Sequence, residues 1–476
     1  MTRLRSLILL ISLVGVGGCT SSTGTPSPLP TASSASAAIQ HIVVLVQENR
    51  SFNTMFAGFP GANTALKGKC KLARSAPWCP KSQMIRLRPV PLESSGKKNL
   101  GIDIDHSHHA FEVECDPKGG VCQMDGFDLI NFGESGQGTA AMTYPYAYVE
   151  RSETKPYWDF ARQYTLSDNM FFTETASSFI AHQILLSGTV QLSNGEWVTD
   201  QPGAVPWGCD AVPGDNAPTL LRNGFESFSP GVFPCFKWGT MADLLDAKQV
   251  SWLFYVDQCC VNPPYDFSGG AWNGYRAIHK IFYGPDYKKN ISSPNTNIFS
   301  DITGGTLPSV SWVIPSLYDS DHPASGCNGG PWWVTKVVNA IGTSKYWSNT
   351  AIIVLWDDWG GWYDPAAPQI INPSTLGFRV PMVVISPYAK AGNVSHSEYE
   401  FGSILKLMEQ TFGLASLGTT DKSAPSMEDV FNFSQTPITF KSEPLPKPRA
   451  CAKQVTNPGS QDGMKELIEH DGGIPE

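Results

Sequence analysis

Two apolar runs with no polar alternation constrain this chain more than any other feature. Ile42-Val43-Val44-Leu45-Val46 follows His41 and stops at Gln47-Glu48-Asn49; Ala351-Ile352-Ile353-Val354-Leu355-Trp356 stops at Asp357-Asp358. A strand with one wet face alternates apolar and polar residues, whereas one apolar at every position is buried on both faces, as at the centre of a parallel α/β sheet. In open sheets of that kind ligands bind beyond the carboxyl ends of the strands, so the two polar clusters are candidates to meet in one site. Residues 309–314 and 380–385 read as further strands, and 179–186, 332–341 and 401–412 carry helical patterns. Strands alternating with helices predict a three-layer α/β architecture with a central, mostly parallel sheet. Residues 198–236 and 256–300, rich in Gly, Pro, Asn and aromatics, read as long insertions shaping a substrate rim.

The first residues point to export. Arg3 and Arg5 precede the apolar run 7–16, then Gly17, Gly18 and Cys19. A charged start, an apolar core too short to span a bilayer and small residues at a cut site describe a signal peptide over 1–18. Val16-Gly17-Gly18-Cys19 also resembles the bacterial lipobox, in which the cysteine is lipidated and becomes the mature N-terminus. Residues 19–38, nearly all Ser, Thr, Gly, Pro and Ala, then serve as a flexible tether. The expected location is the cell envelope, with the membrane as partner through lipidated Cys19. The domain follows over 39–440, and 441–476 forms a tail of little apolar periodicity, tied down through Cys451.

Without Cys19, ten cysteines remain. An even number in an exported chain reads as up to five disulfides, with Cys70/Cys79 and Cys115/Cys122 close enough for local bridges; a zinc site is the alternative. The formal charge of −9 argues against a nucleic-acid partner, which wants a basic face, but leaves room for a small phosphorylated substrate. No protein partner is predicted.

Adjacent Asp357 and Asp358 at a strand end repel each other unless a cation or proton lies between them. Gly360 and Gly361 let the backbone turn sharply after them, although Asp and Gly also make ordinary turns. Glu48 and Asn49 offer hard oxygen ligands suited to Mg²⁺, Ca²⁺ or Mn²⁺; a helix cap after a strand is the competing account.

Together, Glu48-Asn49-Arg50-Ser51-Phe52 and the later Trp356-Asp357-Asp358-Trp359-Gly360-Gly361-Trp362-Tyr363-Asp364 resemble the bacterial phosphoesterase family of phospholipase C enzymes and acid phosphatases, from about His41 to about Leu414. The resemblance implies an alkaline-phosphatase-like fold. It also implies a nucleophile at Ser178 in Ala176-Ser177-Ser178-Phe179-Ile180-Ala181-His182-Gln183, with Ser177 as the other register; the Ala-His-Gln ending looks more like the acid-phosphatase branch. Asp105-His106-Ser107-His108-His109 and Asp321-His322-Pro323 are similar to segments supplying active-site histidines, which puts that role on His106 and His322, with His108 and His109 at the rim. His396, in a further family-like stretch, is expected to pack or to support the site.

The chain departs from the family at Asn53, where Asp is common, and at Pro365-Ala366, where His-Val often follows the aspartate. The resemblance thus implies phosphate-ester hydrolysis through a phosphoserine on Ser178. Glu48, Asn49, Asp357, Asp358 and Ser178 would hold one divalent metal (Ca, Mg, Mn or Zn), with His322 and His106 at the phosphate or leaving group. Phospholipid and soluble phosphate esters both remain open as substrates, and the rival is a catalytically silent surface-binding lipoprotein on the same scaffold.

Overall fold

The computed structural model describes residues 38–72, 76–92, 103–133, 138–221, 226–259, 267–325, 329–369 and 376–447. The expected signal peptide, Cys19, nearly all of the tether, Cys260, Cys327 and Cys451 lie outside these residues.

Eight strands form the central sheet: β1 (His41–Gln47), β2 (Thr165–Ser167), β3 (Trp252–Tyr255), β4 (Ile291–Ser292), β5 (Val310–Val313), β6 (Thr350–Trp356), β7 (Met382–Ile385) and β8 (Asn393–Ser395). Their order is β4-β3-β5-β1-β6-β7-β2-β8. Only β7 runs against the others, pairing antiparallel with β6 and β2. The two apolar runs lie side by side at the centre, β1 parallel to β6 with Gln47 opposite Trp356. Every residue from Ile42 to Gln47 and from Thr350 to Trp356 is buried. Full burial on both faces is what continuous apolar patterning without alternation demands.

Six helices matter for the site: α1 (Phe52–Phe56), α2 (His108–Cys115), α3 (Arg151–Gln163), α4 (Ser178–Ser187), α5 (Gly330–Gly342) and α6 (Phe401–Phe412). They pack in two groups, α3 against α5 and α4 against α6, and form the outer layers over the covered sheet. The fold is three-layer α/β, as expected. At the start of and within the anticipated insertion 198–236, Trp197–Val198, Ala217–Leu220 and Glu226–Val232 build a small antiparallel sheet, whereas β4, in the second insertion, joins the edge of the main sheet.

The anticipated bridges Cys70–Cys79 and Cys115–Cys122 are present, with a third between Cys209 and Cys235, and Cys259 is also disulfide-bonded. The segment following Phe440 begins docked on α5. Asn339 on α5 donates to the Glu443 carbonyl at 2.8 Å and accepts its N–H at 3.0 Å. No helix among the described residues is long and apolar enough to cross a membrane.

Candidate active site

The register of β1 and β6 brings their polar exits together. The Asp357 N–H donates to the Gln47 carbonyl at 3.0 Å and the Arg50 N–H to the Asp358 carbonyl, also at 3.0 Å. Asn49 lies at φ +56°, a left-handed conformation that asparagine tolerates better than most residues, and its N–H donates to Asp357 Oδ1 at 2.9 Å. Gly360 is the reason the facing loop can approach so closely. At φ +60°, a Cβ there would lie 2.4 Å from the Asn49 carbonyl oxygen.

Helix α4 delivers the hydroxyl. Ser177 is its N-cap and Ser178 its first residue. Ser177 Oγ bonds Gln201, but Ser178 Oγ lies 3.1 Å from Asp358 Oδ2 and 3.3 Å from Asn49 Oδ1. One turn later, His182 Nε2 is 3.0 Å from Glu48 Oε1. Ligand atoms of Glu48, His182 and Asp357 all lie within 4.8 Å of one another. Sequence reasoning passed over His182 as a site residue, although its i+4 spacing from Ser178 places both on one helix face.

The histidines divide by contact. His106 Nδ1 is 2.7 Å from the Ile104 carbonyl, an acceptor, so Nδ1 carries the hydrogen. Nε2 is then free to accept from Asn49 Nδ2 at 2.9 Å, and this turns the Asn49 amide oxygen toward Ser178. His322 follows Asp321, whose carboxylate accepts from Tyr157 Oη at 2.8 Å and Trp356 Nε1 at 3.0 Å and whose N–H donates to Gln47 Oε1 at 2.9 Å. The Trp272 ring lies 5.9 Å from the His322 ring and 6.5 Å from that of His182. His108 contacts Thr175, just before α4, at 2.8 Å through Nδ1, and His109 is exposed. His396 is exposed and paired with Asp168 at 2.9 Å, away from the carboxylates.

Electrostatically the centre is unbalanced. Burial, then the charges of Asp357 and Asp358, push the Glu48 carboxyl well above its ordinary range; burial and then Asp357 do the same to Asp358. Burial pulls His182 down to about 4, so it is neutral near pH 7 and supplies no countercharge. Burial, with the charge of Arg50 nearby, holds His322 well below its usual value. Glu48 Oε2 and Asp357 Oδ2 are buried with no hydrogen-bond partner. Three clustered carboxylates, two orphaned oxygens, an amide oxygen, a hydroxyl and an imidazole form a donor set that fits one divalent cation.

The sequence profile of the phosphoesterase family matches residues 39–415. The chain is 25% identical to "Phospholipase C A" of Mycobacterium tuberculosis over 489 residues, covering 91% of this chain and 86% of that one. It is 26% identical to "Non-hemolytic phospholipase C" of Burkholderia pseudomallei over 431 residues, covering 79% and 55%. A solved structure described as a protein of the alkaline phosphatase superfamily from Vibrio parahaemolyticus is similar at TM-score 0.33 and 11% identity, covering 67% of this chain and 82% of that one; so loose a likeness extends to no residue of the site. The chain belongs to the phosphoesterase family, as a hydrolase of phosphoric esters.

Proposed function

We propose that the chain cleaves phosphate esters by attack of Ser178 Oγ on phosphorus, with Glu48, Asn49, Asp357, Asp358 and Ser178 holding one divalent cation and His182 completing the set. The observation that carries this reading is the Ser178 hydroxyl set against buried carboxylates, of which Glu48 Oε2 and Asp357 Oδ2 have no hydrogen-bond partner among the described residues. A cation bound there would offset the carboxylates, acidify the hydroxyl and neutralise phosphoryl charge.

The protein's own groups do the rest. Asp358 and Asn49 fix Oγ, and His106 holds the Asn49 amide in the orientation that aims its oxygen at Ser178. Attack forms an Oγ–P bond as the ester P–O bond breaks, and the alcohol departs with a proton. His322, as a neutral imidazole, offers one N–H to a phosphoryl or leaving oxygen. Water then attacks the phosphoserine, releasing phosphate or a phosphomonoester and restoring the hydroxyl. The names of the relatives make phospholipids the first substrate class to examine, with soluble phosphomonoesters beside them. Export and anchoring through a lipid on Cys19 complete the reading.

The test compares wild type with Ser178→Ala on an aryl phosphate and on phosphatidylcholine vesicles, each with and without chelator. Wild-type activity should vanish in chelator and return with a divalent cation. Ser178→Ala should lose on the order of a thousandfold or more. Activity surviving both treatments removes the mechanism.

A further inference from the structure

Opposite in character to the acidic centre is the hairpin of strands Lys67–Lys69 and Met84–Arg86. Between Glu48 and Glu93 the sequence has no acidic residue and eight Lys or Arg, in a chain whose net charge is −9. The antiparallel register sets Lys67 opposite Arg86, Gly68 opposite Ile85 and Lys69 opposite Met84. Gly68 and Ile85 are buried, while Lys67, Lys69, Met84 and Arg86 are exposed together on the outer face. Leu66, just before the first strand, and Leu72, three residues after it, are 52% and 53% exposed.

Two features of this face need a partner. Like charges directly opposite on neighbouring strands are destabilising, yet Lys67 and Arg86 face each other and neither forms an ion pair among the described residues. Met84 lies among those cations and the half-exposed Leu66 and Leu72 flank them, a mixture that suits an interface where apolar side chains enter hydrocarbon while cations meet phosphate. The hairpin's inner face is fixed to the catalytic loop. A Cβ on Gly68 would lie 2.6 Å from the Tyr146 ring and 2.8 Å from that of Tyr363, and Tyr363 belongs to the segment carrying Asp357 and Asp358.

We propose that this hairpin docks the protein on an anionic lipid bilayer, Lys67, Lys69 and Arg86 meeting headgroup phosphates and Leu66, Leu72 and Met84 entering the acyl boundary. Nucleic acid is the other polyanion such charge could take, but it has no use for the three apolar side chains. Docking is independent of any lipid on Cys19 and of the chemistry proposed for Ser178.

The experiment uses the full chain with Cys19→Ala throughout, so that no attached lipid contributes. Co-sedimentation is measured with phosphatidylcholine vesicles with and without phosphatidylglycerol, and fluorescence anisotropy with a labelled DNA oligonucleotide. The protein should bind the anionic vesicles, less so at high salt, and bind neutral vesicles and DNA far more weakly. Each basic residue near an anionic surface strengthens binding roughly fivefold, so Lys67→Ala/Lys69→Ala/Arg86→Ala should lose on the order of a hundredfold. Leu66→Ser/Met84→Ser should weaken vesicle binding at every salt concentration. Hydrolysis of a soluble aryl phosphate, unchanged in these variants, reports intact folding; if that activity is absent in wild type, far-ultraviolet circular dichroism and the melting curve take its place. Undiminished vesicle binding by the triple variant, equal binding to neutral vesicles, or DNA binding as tight as lipid binding would each overturn the proposal.

Discussion

Within the eight residues from Asp357 to Asp364 the chain solves the problem of a buried carboxylate in two opposite ways. Asp364 is fully buried, and the protein neutralises it. Arg379 grips it bidentately, Nε to Oδ1 at 2.8 Å and a terminal nitrogen to Oδ2 at 3.2 Å, and the N–H groups of Ala366 and Asn53 donate at 2.9 and 3.1 Å. Asp357 and Asp358 are equally buried but face Glu48, and among the described residues the basic side chains at the cluster are histidines, His182 beside Glu48 and His106 beside Asn49. Arg50, close by in sequence, turns away; its guanidinium bonds the carbonyls of Asp321 and Leu92 and lies 4.9 Å over the Trp362 ring. A buried charge that serves the scaffold carries its own counterion. On the function proposed above, a carboxylate cluster without an arginine or lysine of its own is where an external cation would sit.

The largest expected effect breaks the compensated pair. Arg379→Met leaves Asp364 buried and unpaired, and removing one member of such a pair costs about 3–5 kcal/mol. Denaturant unfolding should show that loss in chelator and in excess cation alike, because this carboxylate does not depend on an added ion. A variant whose stability recovered with divalent cation would erase the distinction between the two clusters.

Asp358→Asn sharpens the contrast from the other side, with a smaller effect of opposite sign. In chelator it removes one of three repelling carboxylates and should stabilise the fold by about 1 kcal/mol. Wild type in cation at a hundred times its dissociation constant should gain about 2.7 kcal/mol, and the variant should gain far less. The same substitution should abolish most hydrolysis. Equal stabilisation of both proteins by cation would mean that Asp358 holds none.

Much of this was legible beforehand because it rests on local pattern. The apolar runs became β1 and β6, residues 401–412 became α6 with the bounds expected, and the Glu-Asn and Asp-Asp clusters were placed together by the rule for strand ends. The short strands β2 and β3 were not foreseen: three or four residues carry too little periodicity to stand out from a loop. β4 was hidden inside a stretch rich in Gly, Pro and Asn, since a two-residue edge strand is defined by its neighbour rather than by its own sequence. His182 lay in a quoted segment but gained a role only when α4 met β1. For His106, expected at the phosphate, the fold adds a contact between its Nε2 and Asn49 that the sequence could not show. Of the two departures from the family, Asn53 closes its own loop through Ala65, accepting at 2.7 Å and donating at 3.1 Å, and Asp364 is committed to Arg379.

A third arrangement lies between the two clusters and gives an effect confined to a window of pH. Glu400 caps α6, its side chain accepting from the Ser403 N–H and from Thr173 Oγ1 at 3.1 Å, with Lys406 near enough to act on its charge but no ion pair to it among the described residues. Burial pushes its carboxyl up to about 7, the Thr173 hydrogen bond opposing and the Glu398 charge adding. Because that value lies above the ordinary 4.5, the folded state holds the proton more tightly than the unfolded one. The resulting stability is complete below about pH 4.5, declines as pH rises, and is gone above about 7. Glu400→Gln keeps an acceptor for Thr173 but cannot titrate, so its stability should fall less than that of wild type between pH 5 and pH 8, by roughly 2 kcal/mol at most. Unfolding curves at the two pH values measure the difference. Parallel pH dependence in the two proteins would mean that hydrogen bonds at a helix start satisfy this carboxylate as fully as Arg379 satisfies Asp364, and that countercharge is not what separates the two kinds of site.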